Sequence, residues 1–131
     1  MRIRRGDIVW VDFRCGNGHI QRGRRPCVVV SSNQINGHAN TFNVIPGTTN
    51  MQRKDNPVHV YVKANDIGGY MGKDTLFLTE QLTTIDKEQI IWKSGTLTDA
   101  LLMKVNAVIL RQLGMNIENE GSKTDEQNSK K

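Results

Sequence analysis

The chain is poor in the residues that staple a fold or hold a metal. Its only cysteines, Cys15 and Cys27, are too few for a disulfide framework and lack the CxxC spacing, which points to reduced thiols. The three histidines, His19, His38 and His59, lie far apart, so no Cys/His set has the spacing of a structural zinc site. The acidic residues up to position 115 are scattered singly, which disfavours a two-metal nuclease. Long hydrophobic runs are also missing. Ile8 to Phe13 is far too short to span a bilayer and nothing before it resembles a signal peptide, so the expectation is a cytoplasmic protein without membrane contact. The glycine-rich Gly68-Gly69-Tyr70-Met71-Gly72-Lys73-Asp74 is one residue short of a phosphate-binding loop, and Asp74 replaces the hydroxyl that would hold magnesium. It reads as a hairpin turn. No cofactor and no metal are called for.

What the chain has instead is arginine. The net charge is +5, and residues 1–25 alone hold seven arginines (Arg2, Arg4, Arg5, Arg14, Arg22, Arg24, Arg25) against Asp7 and Asp12. Such a patch favours a polyanion, because each neutralised phosphate releases condensed counterions. Charge of this size also suits a small protein that is merely soluble, so it does not decide function by itself.

The 131 residues suit one domain. Apolar runs recur every 10 to 15 residues up to Gly114, and residues 116–131 contain a single large apolar residue, Ile117. The expected division is therefore a body of residues 1–115 and a disordered tail of residues 116–131. Strand signals dominate the body: Ile8 to Phe13, Cys27 to Ser32, Thr41 to Pro46, Val58 to Lys63, Thr75 to Thr79 and Gln89 to Lys93. Val58, Val60 and Val62 alternate with His59, Tyr61 and Lys63, so His59 is expected to point outward. The unbroken run Cys27-Val28-Val29-Val30 predicts a central strand buried on both faces. Ser32 to Gly37 and Asp66 to Gly69 read as turns. Thr98 and Gly114 bracket one amphipathic helix, with Asp99 in its first turn and Arg111 in its last. Asp86 can cap a single helical turn. The sum is a mainly β fold with a C-terminal helix: a small, strongly curved antiparallel sheet or barrel.

RNA can be cut without metal when the ribose 2′-OH attacks its own phosphate. That chemistry needs a group to remove a proton, a cation for the charge developing on phosphoryl oxygen, and protonation of the leaving oxygen. Arginine is a planar, permanent cation matched to phosphate, and histidine suits proton transfer near neutral pH. A threonine hydroxyl can orient the 2′-OH or the phosphate.

Five segments in order carry a resemblance: Arg5-Gly6-Asp7-Ile8-Val9-Trp10-Val11, Gly18-His19-Ile20-Gln21, Arg25-Pro26-Cys27-Val28-Val29-Val30, Val44-Ile45-Pro46-Gly47-Thr48-Thr49, and Glu80-Gln81-Leu82-Thr83-Thr84-Ile85-Asp86-Lys87. Together they resemble the MazF/PemK toxins of type II toxin–antitoxin systems, over roughly residues 4 to 113. The resemblance implies a homodimeric SH3-like barrel of the CcdB/PemK type with a C-terminal helix. It further implies a ribosome-independent, metal-independent, sequence-specific endoribonuclease (mRNA interferase) acting on single-stranded RNA and neutralised by a cognate antitoxin. Its products would carry a 2′,3′-cyclic phosphate and a 5′-hydroxyl. Arg25 matches the family's catalytic arginine, Thr48 its catalytic threonine, and His19 a position that is histidine or serine among members. Gln21, Arg24, Thr49, Asn50, Glu80 and Gln81 fall among residues expected to face RNA. Many members have Glu where Ile20 stands, and the Arg-x-Asp pair of some members is Leu78-Thr79-Glu80 here. Proton transfer is thus left to His19 or Glu80.

Two other classes remain open on the residues alone: a gyrase poison of the CcdB type, and a barrel that binds nucleic acid without cutting it. Arg25 and Thr48 also have ordinary readings, as a surface arginine before a strand and a turn residue. Trp10 and Trp92, each inside a strand-like run, are expected in core or dimer packing. The loops Gly16 to Arg24, Asn50 to Asn56 and Ala64 to Asp74 are expected to bear on which sequence is cut.

Overall fold

The computed structural model describes residues 2–14 and 23–115. The expectations for His19, Ile20, Gln21 and the tail 116–131 lie outside the described residues.

The first long apolar run forms β1 (Asp7–Phe13), and the valine run forms the end of β2 (Gly23–Val29), which begins four residues earlier than its apolar part. A single helical turn, α1 (Asn33–Asn36), follows in place of the expected turn. Ser32 caps it by accepting a hydrogen bond from the Ile35 amide. Next come β3 (Thr41–Thr48), β4 (His59–Val62), the two-residue β5 (Gly68–Gly69), β6 (Thr75–Leu78), β7 (Thr83–Asp86) and β8 (Ile90–Thr96). The chain then closes with α2 (Asp99–Gln112).

These strands form one curled antiparallel sheet, a half-barrel ordered β4-β6-β3-β2-β1-β8-β5, with β7 on the first half of β3. β2 lies between β1 and β3, and Cys27, Val28 and Val29 are fully buried. Val28 packs with Ile8, Ile45, Phe77 and the α2 residue Val105, whereas Cys27 and Val29 pack with Val9, Val11 and Phe42. The central valine strand is therefore apolar because both of its faces meet a core.

The helix forms as its caps dictate. Thr98 accepts from the Leu101 amide at 3.2 Å, Asp99 occupies the first turn, Arg111 the last, and Gly114 takes a left-handed φ of +75°. Leu101, Val105, Val108 and Ile109 press on the sheet, and the Arg5 guanidinium reaches across to the Asn106 side chain. Asp86 caps a 3-10 turn at Lys87–Gln89 through a reciprocal capping box with Gln89.

Two expectations need correction, and one strand was not expected. Gly68–Asp74 is not a hairpin turn, because β5 pairs with β8 and not with the β6 that follows it. β7 escapes the sequence pattern since Ile85 is the only residue of its four that is buried. His59 points inward and is only 6% exposed, its ring nitrogens satisfied by the Arg53 carbonyl and the Glu80 carboxylate. Alternation along β4 cannot register that a loop covers the second face.

Candidate active site

The site arises where the sheet splits. β2 and β3 pair through Cys27↔Pro46, Val28↔Ile45 and Val29↔Val44, and there the ladder stops. Pro26 and Pro46 both stand at this point, and proline has no amide hydrogen to continue a ladder. Beyond Pro46, β3 turns to β6 instead, pairing Gly47↔Phe77 and Thr48↔Leu76. Arg25, two residues before the last pair on β2, and Thr48, two residues after it on β3, are 23 apart in sequence and line the same opening.

Gly47 permits the crossing. A Cβ there would stand 2.4 Å from Thr75 Cγ2 and 3.1 Å from both Phe77 Cε1 and the Pro26 carbonyl oxygen, so any side chain would push the strands apart.

A cavity of about 270 Å3 occupies the split. One wall is the start of β2, with Arg24, Arg25 and Pro26, beside Trp10 of β1. Another is the end of β3, with Gly47, Thr48 and then Thr49. The segment between β5 and β6 supplies Tyr70, Met71, Gly72 and Lys73, and Thr75 of β6 completes the lining. Three cations and two threonines that follow one another line the cavity, and among the described residues no carboxylate does. Asp74, next in the chain, instead accepts hydrogen bonds from the Tyr61 hydroxyl at 2.8 Å and the Ala64 amide at 2.9 Å.

Arg25 is half-buried, and this burial pushes its guanidinium below its usual value, with the neighbouring Cys27 acting in the opposite sense. An arginine so placed is still a cation at neutral pH, but one stripped of part of its water, which strengthens its attraction for phosphate oxygen. Burial pushes the Cys27 thiol strongly upward, leaving it a neutral apolar neighbour. Thr48 is oriented by its own turn: its Oγ1 accepts the Asn50 amide at 3.1 Å, so the hydroxyl hydrogen is directed elsewhere. Asn50 in turn accepts the Gln52 amide at 3.0 Å.

Of the residues singled out in the sequence, Arg24, Arg25, Thr48 and Thr49 come together in the cavity, and Asn50 supports it through the Thr48 turn. Glu80 and Gln81, on a 3-10 turn between β6 and β7, are not among the lining residues. Glu80 Oε2 lies 2.9 Å from His59 Nε2. Trp10 proves to be a cavity residue, and Trp92 is 44% exposed and stacked on Tyr70, so neither belongs to the core. Lys73 and Tyr70 had no signal beyond their place in a loop expected to bear on specificity. A Gly-Lys pair that fails as a phosphate loop nevertheless brings its lysine to the cavity. Among the described residues no three His, Cys, Asp or Glu side chains converge, and no helix is long and apolar enough to cross a membrane.

The chain is 30% identical over 115 residues to endoribonuclease EndoA of Bacillus subtilis, an alignment covering 88% of this chain and 97% of that one. The fold matches a crystal structure of MazF from Deinococcus radiodurans with a TM-score of 0.73 at 24% identity, covering 88% of this chain and 99% of that one. A MazE-MazF complex from the same organism matches with a TM-score of 0.69 at 25% identity, again over 88% and 99%. The family model for the PemK-like, MazF-like toxin of type II toxin-antitoxin systems runs over residues 4–113, nearly all of the described fold, and the chain belongs to that family.

Proposed function

We propose that this protein is an endoribonuclease toxin that cuts single-stranded RNA, with Arg25 and Thr48 at the reacting phosphate. The observation that carries the reading is their meeting across the split between β2 and β3, in a cavity lined by Arg24, Arg25 and Lys73 and by no described carboxylate. In the reaction the ribose 2′-oxygen forms a bond to the adjacent phosphorus as its proton passes to a base. The bond to the 5′-oxygen then breaks, and that oxygen takes up a proton. The products are a 2′,3′-cyclic phosphate and a 5′-hydroxyl, and no step calls for a metal.

The Arg25 guanidinium stabilises the charge that builds on the phosphoryl oxygens of the pentacoordinate phosphorane, a task for a fixed cation rather than a proton donor. Thr48, its hydroxyl oriented by the Asn50 amide, positions the phosphate or the 2′-OH. Arg24 and Lys73 hold flanking phosphates of the strand. Proton transfer falls to His19, because Glu80 is committed to His59. Gln21, Thr49 and Gln81 contact the bases nearby.

The protein acts in the cytoplasm as a homodimer, and a cognate antitoxin neutralises it. The relative crystallised as a MazE-MazF complex supports such a partner. An acidic, unstructured antitoxin segment that folds onto the cationic cavity would compete directly with RNA.

The test is to incubate the purified protein with a long single-stranded RNA in EDTA and map the ends. Discrete cuts ending in cyclic phosphate are expected. Intact RNA with inhibited gyrase, or RNA bound and uncut, overturns the reading.

A further inference from the structure

We propose that Tyr70 and Trp92 form a nucleobase subsite, on which one unpaired base of the RNA stacks while a neighbouring phosphate sits at Arg25 and Thr48. This rests on the reading of the cavity as a ribonuclease site. The two rings lie against each other with centroids 6.0 Å apart and planes 28° apart, yet Tyr70 is 57% and Trp92 44% exposed. Two large aromatic rings left in water at one place call for an occupant.

The backbone that carries Tyr70 is tied to β8, and the pair adjoins the cavity. Tyr70 itself lines the opening beside Lys73. Its amide donates to the Ser94 carbonyl at 2.8 Å, while the Ser94 hydroxyl accepts the Trp10 indole N–H at 3.0 Å. Ser94 thus ties the tyrosine to the cavity's own tryptophan. The backbones of β5 and β8 approach so closely that a Cβ on Gly69, at φ +89°, would stand 2.4 Å from the Ser94 carbonyl oxygen. A Cβ on Gly72, at φ +91°, would stand 3.0 Å from the Tyr70 hydroxyl. Glycine at 69 lets the backbone before Tyr70 close on β8, and glycine at 72 leaves room for the tyrosine ring.

The chemistry of the surroundings selects the occupant. Grooves for single-stranded nucleic acid combine cations that follow the backbone with aromatic faces on which successive bases stack. Here Arg24, Arg25 and Lys73 supply the first and the Tyr70–Trp92 step the second, in continuity.

The experiment measures binding of an RNA that carries a 2′-deoxy nucleotide at the mapped cut, so that it cannot be cleaved. Tyr70→Leu and Trp92→Leu keep apolar volume but remove the ring, and each is expected to raise Kd by about 5- to 150-fold. On a cleavable RNA the Leu variants should lose more in KM than in kcat, and Tyr70→Phe and Trp92→Phe should restore most of the affinity. An abasic scan of the same RNA on the wild type should find one position next to the cut whose loss weakens binding, and whose effect disappears in the Leu variants. An unchanged Kd in folded variants, or no abasic position that couples to them, overturns the subsite. So does an unchanged Kd accompanied by a shift in oligomeric state, which would assign the pair to a protein surface. A wild type that leaves RNA uncut defeats the underlying reading instead, and is seen before any variant is made.

Discussion

The Nε2 atom of His59 lies 2.9 Å from Oε2 of Glu80, and its Nδ1 lies 2.9 Å from the carbonyl oxygen of Arg53. A carbonyl can only accept, so Nδ1 carries a hydrogen and donates to it. One buried ring thereby ties the loop after Thr48 to the 3-10 turn after β6, and engages the carboxylate that the sequence offered for catalysis.

Glu80→Gln should therefore slow RNA cleavage by less than about tenfold, whereas loss of a group that transfers the proton costs about a hundredfold or more. Arg25→Ala should lose at least about a hundredfold in kcat/KM, as when an oxyanion donor is removed. Steady-state kinetics on one RNA compares the two directly. An equal loss in both would place Glu80 in the chemistry.

His59→Ala removes a buried ring and both of its hydrogen bonds, to Glu80 and to the Arg53 carbonyl, which keeps only the Asn56 amide, at a cost of about 1–3 kcal/mol. Denaturant unfolding reads that cost, and a variant as stable as the wild type would show that the bridge does not hold the loop.

At Gly47 the expected change is structural as well as catalytic. Gly47→Ala sets a methyl 2.4 Å from Thr75 Cγ2, in a gap already closed by Phe77 and the Pro26 carbonyl. Overpacking of this kind costs about 1–3 kcal/mol. Because Thr48 is the next residue, cleavage should fall even under conditions where the variant is fully folded. Full activity would mean that β3 can shift without moving the hydroxyl.

The Tyr61–Asp74 pair sets a pH window. The Ala64 amide first, and then the Tyr61 hydroxyl, hold the Asp74 carboxyl below its usual 3.8. The hydrogen bond to Asp74, first among several causes, raises Tyr61 above its usual 10.0. A lowered acid contributes stability above its unfolded value and loses it as pH falls through its folded value. A raised tyrosine contributes below its unfolded value and loses it as pH rises through its folded one. The contribution is thus complete between roughly pH 4 and pH 10 and falls away on both sides. Tyr61→Phe should lower Tm across that window and narrow its gap to the wild type at both extremes. A constant gap would count against the linkage.

Cys27 should be chemically silent. It is fully buried with its thiol pushed strongly upward, and the thiolate is the reactive form. The native protein should show at most one reactive thiol, from Cys15, and the denatured chain two. Two fast thiols in the native state would contradict the burial of β2.

Local signals were legible in the sequence wherever one residue's own geometry or neighbours suffice. Thr98, Asp86 and Gly114 mark their helical turns because a cap is made within a few residues. Cys27 to Val29 announce a doubly buried strand because burial on both faces leaves no polar position. The order of the five motif segments was likewise enough to identify the family, and it is what proposes Arg25 and Thr48. Only the tertiary structure decided that these two meet. It did so by ending a ladder at Pro26 and Pro46 and passing β3 over Gly47 to β6. The same long-range pairing turned His59 inward toward Glu80, brought Lys73 to the cavity and laid Tyr70 on Trp92. Such contacts join residues whose sequence neighbourhoods are unrelated, and register between strands, rather than any local propensity, sets them.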